Sequence, residues 1–183
     1  MDDGALRAYA TWSDIGASQR ATEFRSYTFN IAEARYVMRR VTRIINEEAK
    51  KRGFDPLQHQ ALLQTYGIRD GEQLTISGLG ERLDVPAAFA SRLVRKLESE
   101  GYVTRMHSER DKRVTFVQAT DAGVQVLREI DEQVHRHVAY FQHSLSEHQR
   151  IAALSIFAFY VGIDAESPIA EALREGRIQP ENV

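Results

Sequence analysis

The chain contains no cysteine and only four prolines among its 183 residues. The absence of cysteine excludes disulfides, thiolate metal sites, thiol nucleophiles and thiol redox switches within these residues. No stretch reaches the roughly 18 consecutive apolar residues that a membrane-spanning helix needs, and the opening Met1-Asp2-Asp3 does not resemble a signal peptide. We therefore expect a soluble, cytoplasmic protein with no membrane partner.

The net charge is small, but the charge is unevenly distributed. The 24 Lys and Arg residues nearly balance 26 Asp and Glu residues, for a formal charge of −2. Between Arg82 and Arg113, eight basic and five acidic residues give +3, which leaves −5 for the rest of the chain. A local basic surface is what phosphate contact requires, whereas a solvated helix and hairpin of ordinary charge is the alternative interpretation.

Apolar residues recur at intervals of three and four over most of the chain, which predicts a mainly helical protein. Two helix starts are marked by strong capping signals, Asp55-Pro56 and Thr75, and Gly101 is typical of a helix end. Helices are predicted from Arg20 to Lys51, from Pro56 to Tyr66, from Thr75 to Leu83, from Pro86 to Glu100, from Thr120 to His143, from Ser146 to Gly162, and after Ser167-Pro168.

The period of the apolar pattern changes from about 3.6 to 2 after Gly101. The segments Tyr102–Met106 and Val114–Gln118 therefore read as paired strands, joined by the basic segment His107–Arg113. Two short helices followed by such a hairpin predict a winged helix-turn-helix with a two- to three-stranded wing. In that fold the second helix fits the major groove of DNA and a basic hairpin tip reaches the adjacent minor groove.

Four motifs follow one another at characteristic spacing, and they are Ser91–Glu98, Gly101–Val103, Arg110–Arg113 and Thr120–Gly123. They consist of a helix running into Leu-Glu, a glycine with an apolar pair, an Arg-Asp-x-Arg hairpin tip and a Thr-x-x-Gly helix start. In these motifs the chain closely resembles the MarR family of bacterial transcription regulators, over about residues 20 to 162.

This resemblance implies a homodimer that binds a near-palindromic DNA operator and is released by a small ligand. It divides the chain into an N-terminal extension and dimerisation helix (1–54), a winged helix-turn-helix region (55–119), and C-terminal dimerisation helices with a tail (120–183). The start of the recognition helix departs from the family, because Pro86–Phe89 stands where Ser or Thr is frequent. The operator sequence is therefore not transferable, and the extra segments around Trp12 and after Pro168 are expected to extend the dimer interface.

Recognition-helix and wing residues are the candidate DNA contacts. Arg92 is the candidate reader of guanine, with contact to phosphate alone as the alternative. The resemblance implies that Asp111 holds the hairpin in shape while Arg110 or Arg113 enters the minor groove; a surface ion pair is the alternative. Lys112 and Arg105 are expected to contact the DNA backbone. The full predicted set is Ser91, Arg92, Arg95, Lys96, Arg105, Arg110, Asp111, Lys112 and Arg113.

A ligand site is expected between the first two predicted helices. His59 falls where the family usually has a bulky aromatic residue facing the effector pocket. A histidine and arginines beside aromatic rings would suit an aromatic carboxylate, whereas packing and solvated charge are the alternative roles. The candidate residues are Tyr27, Tyr36, Arg39, Arg43, His59 and Tyr66.

These features predict a ligand-responsive DNA-binding regulator, expected to repress a catabolism or efflux operon for small molecules. No phosphate loop, paired-carboxylate site or nucleophile elbow is present, so we expect neither an enzyme nor a cofactor. Two alternatives remain: a winged-helix module that binds proteins, and a metal-responsive regulator. His135 and His137 point about 200° apart on a helix, and therefore no metal site is predicted.

Overall fold

A computed structural model describes residues 24–69 and 71–161. Several predicted features lie outside these residues: the segment around Trp12, the start of the first helix at Arg20, Asp70 of the predicted turn, and the helix after Pro168. The chain divides into two compact units. One contains the described residues up to Thr42 and from Phe141 onward, and the other is Arg43–Tyr140.

The described residues form six helices and three short strands, which confirms a mainly helical fold with a small β-wing. Helices α1 and α5 are the longest, and each contributes to both units. In chain order the elements are α1 (Phe24–Lys51), α2 (Pro56–Tyr66), β1 (Leu74–Thr75), α3 (Ile76–Leu83), α4 (Ala87–Ser99), β2 (Val103–His107), β3 (Thr115–Ala119), α5 (Asp121–Ser144) and α6 (Glu147–Val161).

The predicted helix starts at Asp55 and Thr75 are confirmed. The Asp55 carboxylate accepts the backbone N–H of Gln58 at 2.9 Å, and the Gln58 side chain accepts the Asp55 N–H at 3.1 Å. This reciprocal pair is a capping box, which satisfies two of the donors that a helix start leaves free. The Thr75 hydroxyl accepts the N–H of Gly78 at 3.0 Å and begins α3 in the same way.

Helices α3 and α4 form the helix-turn-helix. Asp84 ends α3 in the left-handed region, with φ of 53°, and the N–H of Val85 donates to the carbonyl of Gly80 at 3.0 Å. The sequence predicted that α4 begins at Pro86, but the helix runs from Ala87 to Ser99 and Pro86 is the residue before it. The carbonyl of Pro86 accepts the N–H groups of Phe89 and Ala90, and this holds the first turn of α4.

The wing is a three-stranded antiparallel sheet in the order β1-β3-β2. Leu74 pairs with Val117, and Arg105 pairs with Val117 from the other side. Both predicted hairpin strands begin and end one residue later than expected, at Val103–His107 and Thr115–Ala119. The shift arises because Tyr102 does not pair in the ladder: its N–H donates to the Leu97 carbonyl at the end of α4.

One apolar core holds the Arg43–Tyr140 unit together. Side chains from α1, α2, the helix-turn-helix, the sheet and α5 all enter it, so the wing and both short helices share a single packed interior. The buried members are Ala49, Phe54, Ala61, Leu62, Leu74, Leu79, Val94, Leu97, Val103, Val117, Leu127 and Ile130.

The other unit consists of the start of α1, the end of α5 and α6. Gln149 donates to the Glu33 carboxylate at 2.8 Å, and the Arg40 guanidinium lies 5.3 Å from the centre of the Phe141 ring. Among its described residues, Phe24, Phe29, Leu154 and Phe157 expose more than half of their surface. No helix in the described part of the chain combines the length and apolarity needed to cross a lipid bilayer.

The Thr120-x-x-Gly123 motif joins α5 to the end of α4. The Thr120 hydroxyl donates to the Gly101 carbonyl at 2.7 Å and accepts the N–H of Gly123 at 3.1 Å, while the Thr120 N–H donates to the Tyr102 carbonyl at 3.0 Å. Gly101 has φ of +80°, which favours glycine. A Cβ added at Gly123 would lie 2.2 Å from the Tyr102 oxygen, so only glycine allows this approach.

We predict that Gly123→Ala destabilises the protein, although alanine normally favours a helix over glycine. The new methyl group would force α5 away from Tyr102, at a cost of about 1–3 kcal/mol in the free energy of unfolding. Urea unfolding measures this as a lower midpoint at unchanged slope. Gln125→Ala, on the exposed side of the next turn, is the control and should be nearly neutral. An increase in stability for Gly123→Ala would contradict the close approach.

Candidate nucleic-acid interface

Helix α4 presents one exposed face with two arginines. Ala88, Arg92, Arg95 and Ser99 are exposed and lie three or four residues apart, so they share one side of the helix at 3.6 residues per turn. This side faces solvent and is accessible to a ligand, because the opposite side packs in the core. The buried residues of that opposite side are Ala90, Leu93, Val94 and Leu97.

The two arginines of this face each contact a neighbour on α4. The Arg92 guanidinium carbon lies 5.2 Å from the centre of the Phe89 ring, within range of a cation–π contact. Arg95 donates to the Ser91 hydroxyl at 3.2 Å. Both contacts leave further N–H donors of each guanidinium for a ligand. Ser91, Arg92 and Arg95 therefore lie close together, as the sequence predicted.

Lys96 lies on a flank of α4 and faces α2. Its ammonium group donates to the Gln58 side-chain oxygen at 3.1 Å, and the Gln58 amide donates to Glu100 at 3.4 Å. Gln58 is almost completely buried. A helical spacing of five residues places Lys96 about 140° around the axis from Ser91. Lys96 thus connects α4 to α2, and it is not brought together with Ser91.

The tip of the wing is a hydrogen-bonded turn. The N–H of Ser108 donates to the Val114 carbonyl at 3.0 Å, and the N–H of Val114 donates to the Asp111 carbonyl at 2.9 Å. The Ser108 hydroxyl accepts the N–H groups of Arg110 at 3.2 Å and of Asp111 at 3.4 Å. These bonds fix the backbone from which the tip side chains project.

Asp111 and Arg113 form an ion pair within the tip. The Asp111 carboxylate accepts the backbone N–H of Arg113 at 2.9 Å, and the guanidinium donates to both carboxylate oxygens, at 3.0 Å and 2.9 Å. Hydrogen bonds from Arg113 lower the pKa of Asp111, so the carboxyl stays ionised at neutral pH. The Arg113 side chain is 90% exposed, and among residues 24–69 and 71–161 neither Arg110 nor Lys112 forms an ion pair.

Arg105 lies on β2 and pairs with a carboxylate of α4. Its Nε and Nη2 atoms are 2.7 Å and 2.6 Å from Glu98 Oε2. The side-chain hydrogen bond from Arg105 lowers the pKa of Glu98. Both side chains are about one-third exposed. The predicted DNA-binding residues therefore form an exposed group on α4 and the wing tip, with Arg105 and Lys96 turned toward other elements.

Two of the predicted ligand residues, His59 and Tyr66, line one open cavity of about 330 Å³. His59 is 6% exposed, and its Nδ1 atom has no hydrogen-bond partner among the described residues. Burial lowers the pKa of His59, so the imidazole is neutral at pH 7. The other residues around this cavity are Ile45, Gln60, Leu63, Leu127, Arg128, Ile130, Asp131 and Val134.

The remaining predicted ligand residues do not line that cavity. Arg43 lies at a different, larger cavity of about 730 Å³ and pairs with Glu47 at 3.7 Å. Tyr27, Tyr36 and Arg39 belong to the other compact unit. In the part of the chain that the structure describes, no three His, Asp or Glu side chains come together as a metal site.

Sequence reasoning missed the residues that hold the interface in place. Phe89, Glu98 and Gln58 were not among the candidate site residues, yet each contacts one of them. The i, i+3 spacing of Phe89 and Arg92 was a usable signal, since such residues are neighbours on a helix. The contacts of Glu98 and Gln58 join separate elements, and no periodicity shows them.

A model of the MarR family matches residues 52–114, which include α2, the helix-turn-helix and most of the wing. The regulator SarZ of Staphylococcus haemolyticus is 30% identical over 81 residues, which are 43% of this chain and 55% of SarZ. SarZ of Staphylococcus epidermidis is 32% identical over 85 residues, which are 44% of this chain and 57% of that protein. The chain thus spans little more than half the length of these curated relatives.

Two solved structures share the fold. Staphylococcus aureus MepR in complex with DNA superposes with a TM-score of 0.57 at 17% identity, covering 75% of this chain and 96% of that one. A MarR mutant from E. coli in complex with operator DNA superposes with a TM-score of 0.55 at 22% identity. The match covers 69% of this chain and 89% of that one. The family model thus identifies residues 52–114 as a MarR-family region, and the likenesses to MepR and MarR show that the chain shares their winged helix-turn-helix fold.

Proposed function

We propose that this chain binds double-stranded DNA, with α4 in the major groove and the wing tip in the adjacent minor groove. The observation that carries the proposal is an exposed arginine face on α4 together with an exposed basic hairpin in the same compact unit. Arginine reads guanine through a bidentate contact, and narrow minor grooves attract arginine through their negative potential. The regulators MepR and MarR, whose structures include DNA complexes, share this fold.

We further propose a homodimer that binds a near-palindromic operator. The exposed apolar side chains of α1 and α6 support a second copy, since a large exposed apolar patch marks an interaction site. A two-fold dimer would place its two α4 helices about 34 Å apart, in successive turns of the major groove. Such a dimer matches an operator with two related half-sites.

The cavity beside His59 supports a small-molecule effector. The neutral His59 ring forms part of the cavity wall, while Arg128 at the same cavity supplies the positive charge for a carboxylate. The apolar side chains of Leu63 and Ile130 suit an aromatic ring. We propose that an aromatic acid binds here and favours a conformer with lower DNA affinity, which would relieve repression.

The regulated operon is proposed to serve catabolism or efflux of small molecules. MepR, which shares the fold, is a transcription regulator of the S. aureus multidrug efflux pump MepA. An effector that is itself a substrate of the encoded proteins would link its concentration to their synthesis. This role requires no catalytic group, and the proposal is therefore a regulator and not an enzyme.

We predict that Arg113→Ala weakens specific DNA binding by tenfold or more while the dimer stays intact. The substitution removes a cation from the tip and also the guanidinium hydrogen bonds to Asp111. Fluorescence anisotropy with a selected operator gives the affinity, and size-exclusion chromatography gives the oligomeric state. Glu109→Ala, an exposed neighbour on the same turn, is the control. Unchanged operator affinity would remove the wing from the mechanism.

Arg92→Ala should cost about 1–3 kcal/mol of binding free energy and relax the preference for one base pair. The reason is that a bidentate arginine contact discriminates against every base except guanine. Selection from a randomised duplex library, followed by sequencing, compares the preferences of the two proteins. Gln125→Ala, an exposed residue of α5 that is not part of this face, serves as the control. A uniform loss across all sequences would show that Arg92 touches only phosphate.

His59→Ala should reduce the effect of the effector on DNA affinity without weakening DNA binding itself. The variant removes the His59 ring from the wall of the cavity and so changes the surface that the effector would contact. The measurement is the concentration of an aromatic acid needed to release half of the bound operator, compared with wild type. Leu63→Ala provides a second cavity variant. Loss of DNA binding together with loss of the response would show that His59 is a packing residue.

A further inference from the structure

The contact between Arg105 and Glu98 spans the junction between the recognition helix and the wing. Only the short segment Ser99–Thr104 separates the two residues in the chain. Within that segment, Gly101 turns the chain with φ of +80° and the Tyr102 N–H donates to the Leu97 carbonyl at 2.9 Å. The ion pair therefore closes a small loop, with α4 on one side and β2 on the other.

Both partners of this contact start from well-fixed positions. Arg105 lies in the middle of β2, where the ladder pairs it with Val117, a buried residue of β3. Glu98 follows Leu97, which is completely buried. Two nitrogen atoms of Arg105 converge on Oε2 of Glu98, so the contact restrains both distance and direction.

The cations of the wing tip differ from Arg105. Arg113 is 90% exposed and pairs only within its own turn, and Arg110 and Lys112 have no ion-pair partner among the described residues. Arg105 is only about one-third exposed and bonds to another element. A phosphate contact by Arg105 would have to compete with an ionised carboxylate at hydrogen-bond distance. Because that carboxylate offsets its charge, Arg105 adds little positive potential at the DNA surface.

We propose that Arg105 is a positioning residue that, together with Glu98, fixes the angle between α4 and the wing, and that it does not contribute a phosphate contact. This inference rests on the proposed DNA binding and adds a residue role to it. Binding requires α4 and the wing tip to reach two adjacent grooves at once, so a small change in their relative orientation would misplace one of them. The role replaces the backbone contact that the sequence suggested for Arg105.

A charge swap separates positioning from phosphate contact. The variants are Arg105→Glu, Glu98→Arg and the double variant that carries both changes, which has the net charge of wild type. Each is titrated against a selected operator by fluorescence anisotropy at several salt concentrations. A positioning pair predicts at least a tenfold loss for each single variant, including Glu98→Arg, which makes the protein more positive. It also predicts recovery of the double variant to within about threefold of wild type, with an unchanged salt dependence.

The opposite pattern would overturn the proposal. If Arg105 contacts phosphate, Glu98→Arg leaves affinity unchanged or raises it, and the double variant stays as weak as Arg105→Glu. The slope of log affinity against log salt then also falls by about one. The matched control is the swap of Glu109 and Arg110, two exposed neighbours with no ion pair to each other, for which the double variant should not recover.

A milder variant keeps the test decisive if a charge reversal prevents folding. Glu98→Gln retains a hydrogen-bond acceptor for Arg105 but removes the negative charge. Positioning by the ion pair predicts a two- to tenfold loss of operator affinity, whereas a phosphate role predicts a gain because Arg105 becomes free to bind DNA. Urea unfolding confirms that each variant is folded. If the wild-type protein selects no operator at all, the proposed function is wrong. If the wild-type protein selects an operator but the double variant shows no recovery, only the proposed role of Arg105 is wrong.

Discussion

The close approach of α5 to the backbone of Tyr102 is the constraint on which the geometry of the interface depends. Gly123 permits it, since any Cβ there would lie 2.2 Å from the Tyr102 oxygen, and Thr120 completes it by bonding to the Gly101 carbonyl. Gly101 lies two residues after the end of α4, and Tyr102 immediately precedes β2. One junction therefore fixes where the recognition helix stops, where the wing begins and where the long helix starts. The Thr-x-x-Gly motif is thus a packing requirement of the fold.

The charged side chains of the interface form two groups. Some project into solvent, and others hold neighbouring elements together. Arg92 and Arg95 project from α4, and Arg110 and Lys112 project from a turn whose backbone is fixed by Ser108 and Asp111. Arg105 and Lys96 instead connect elements, since one flank of α4 bonds to β2 through Arg105 and the other bonds to α2 through Lys96. A groove-binding surface needs both kinds, because arginines read DNA only when their helix is held at a defined angle.

Much of this architecture was predictable from local patterns, and the exceptions have physical causes. Capping residues and apolar periodicity located every described helix to within a few residues, because both signals arise within one element. The strands were displaced by one residue, since the Tyr102 N–H bonds to the end of α4 instead of entering the ladder. The partners of Arg105 and Lys96 were not predictable, because those contacts join elements and depend on tertiary packing. The burial that lowers the pKa of His59 and keeps it neutral likewise depends on tertiary packing.

The central claim is that α4 and the wing bind a specific DNA sequence. The most direct test is a fluorescence-anisotropy titration of the protein against the DNA upstream of its own coding region, at two salt concentrations and with competitor DNA. Salt is varied because phosphate contacts alone give strongly salt-dependent binding without sequence preference. We expect nanomolar affinity that unrelated competitor DNA does not displace. Weak binding that disappears with a modest increase in salt would contradict the claim and would indicate a winged-helix domain that binds proteins instead.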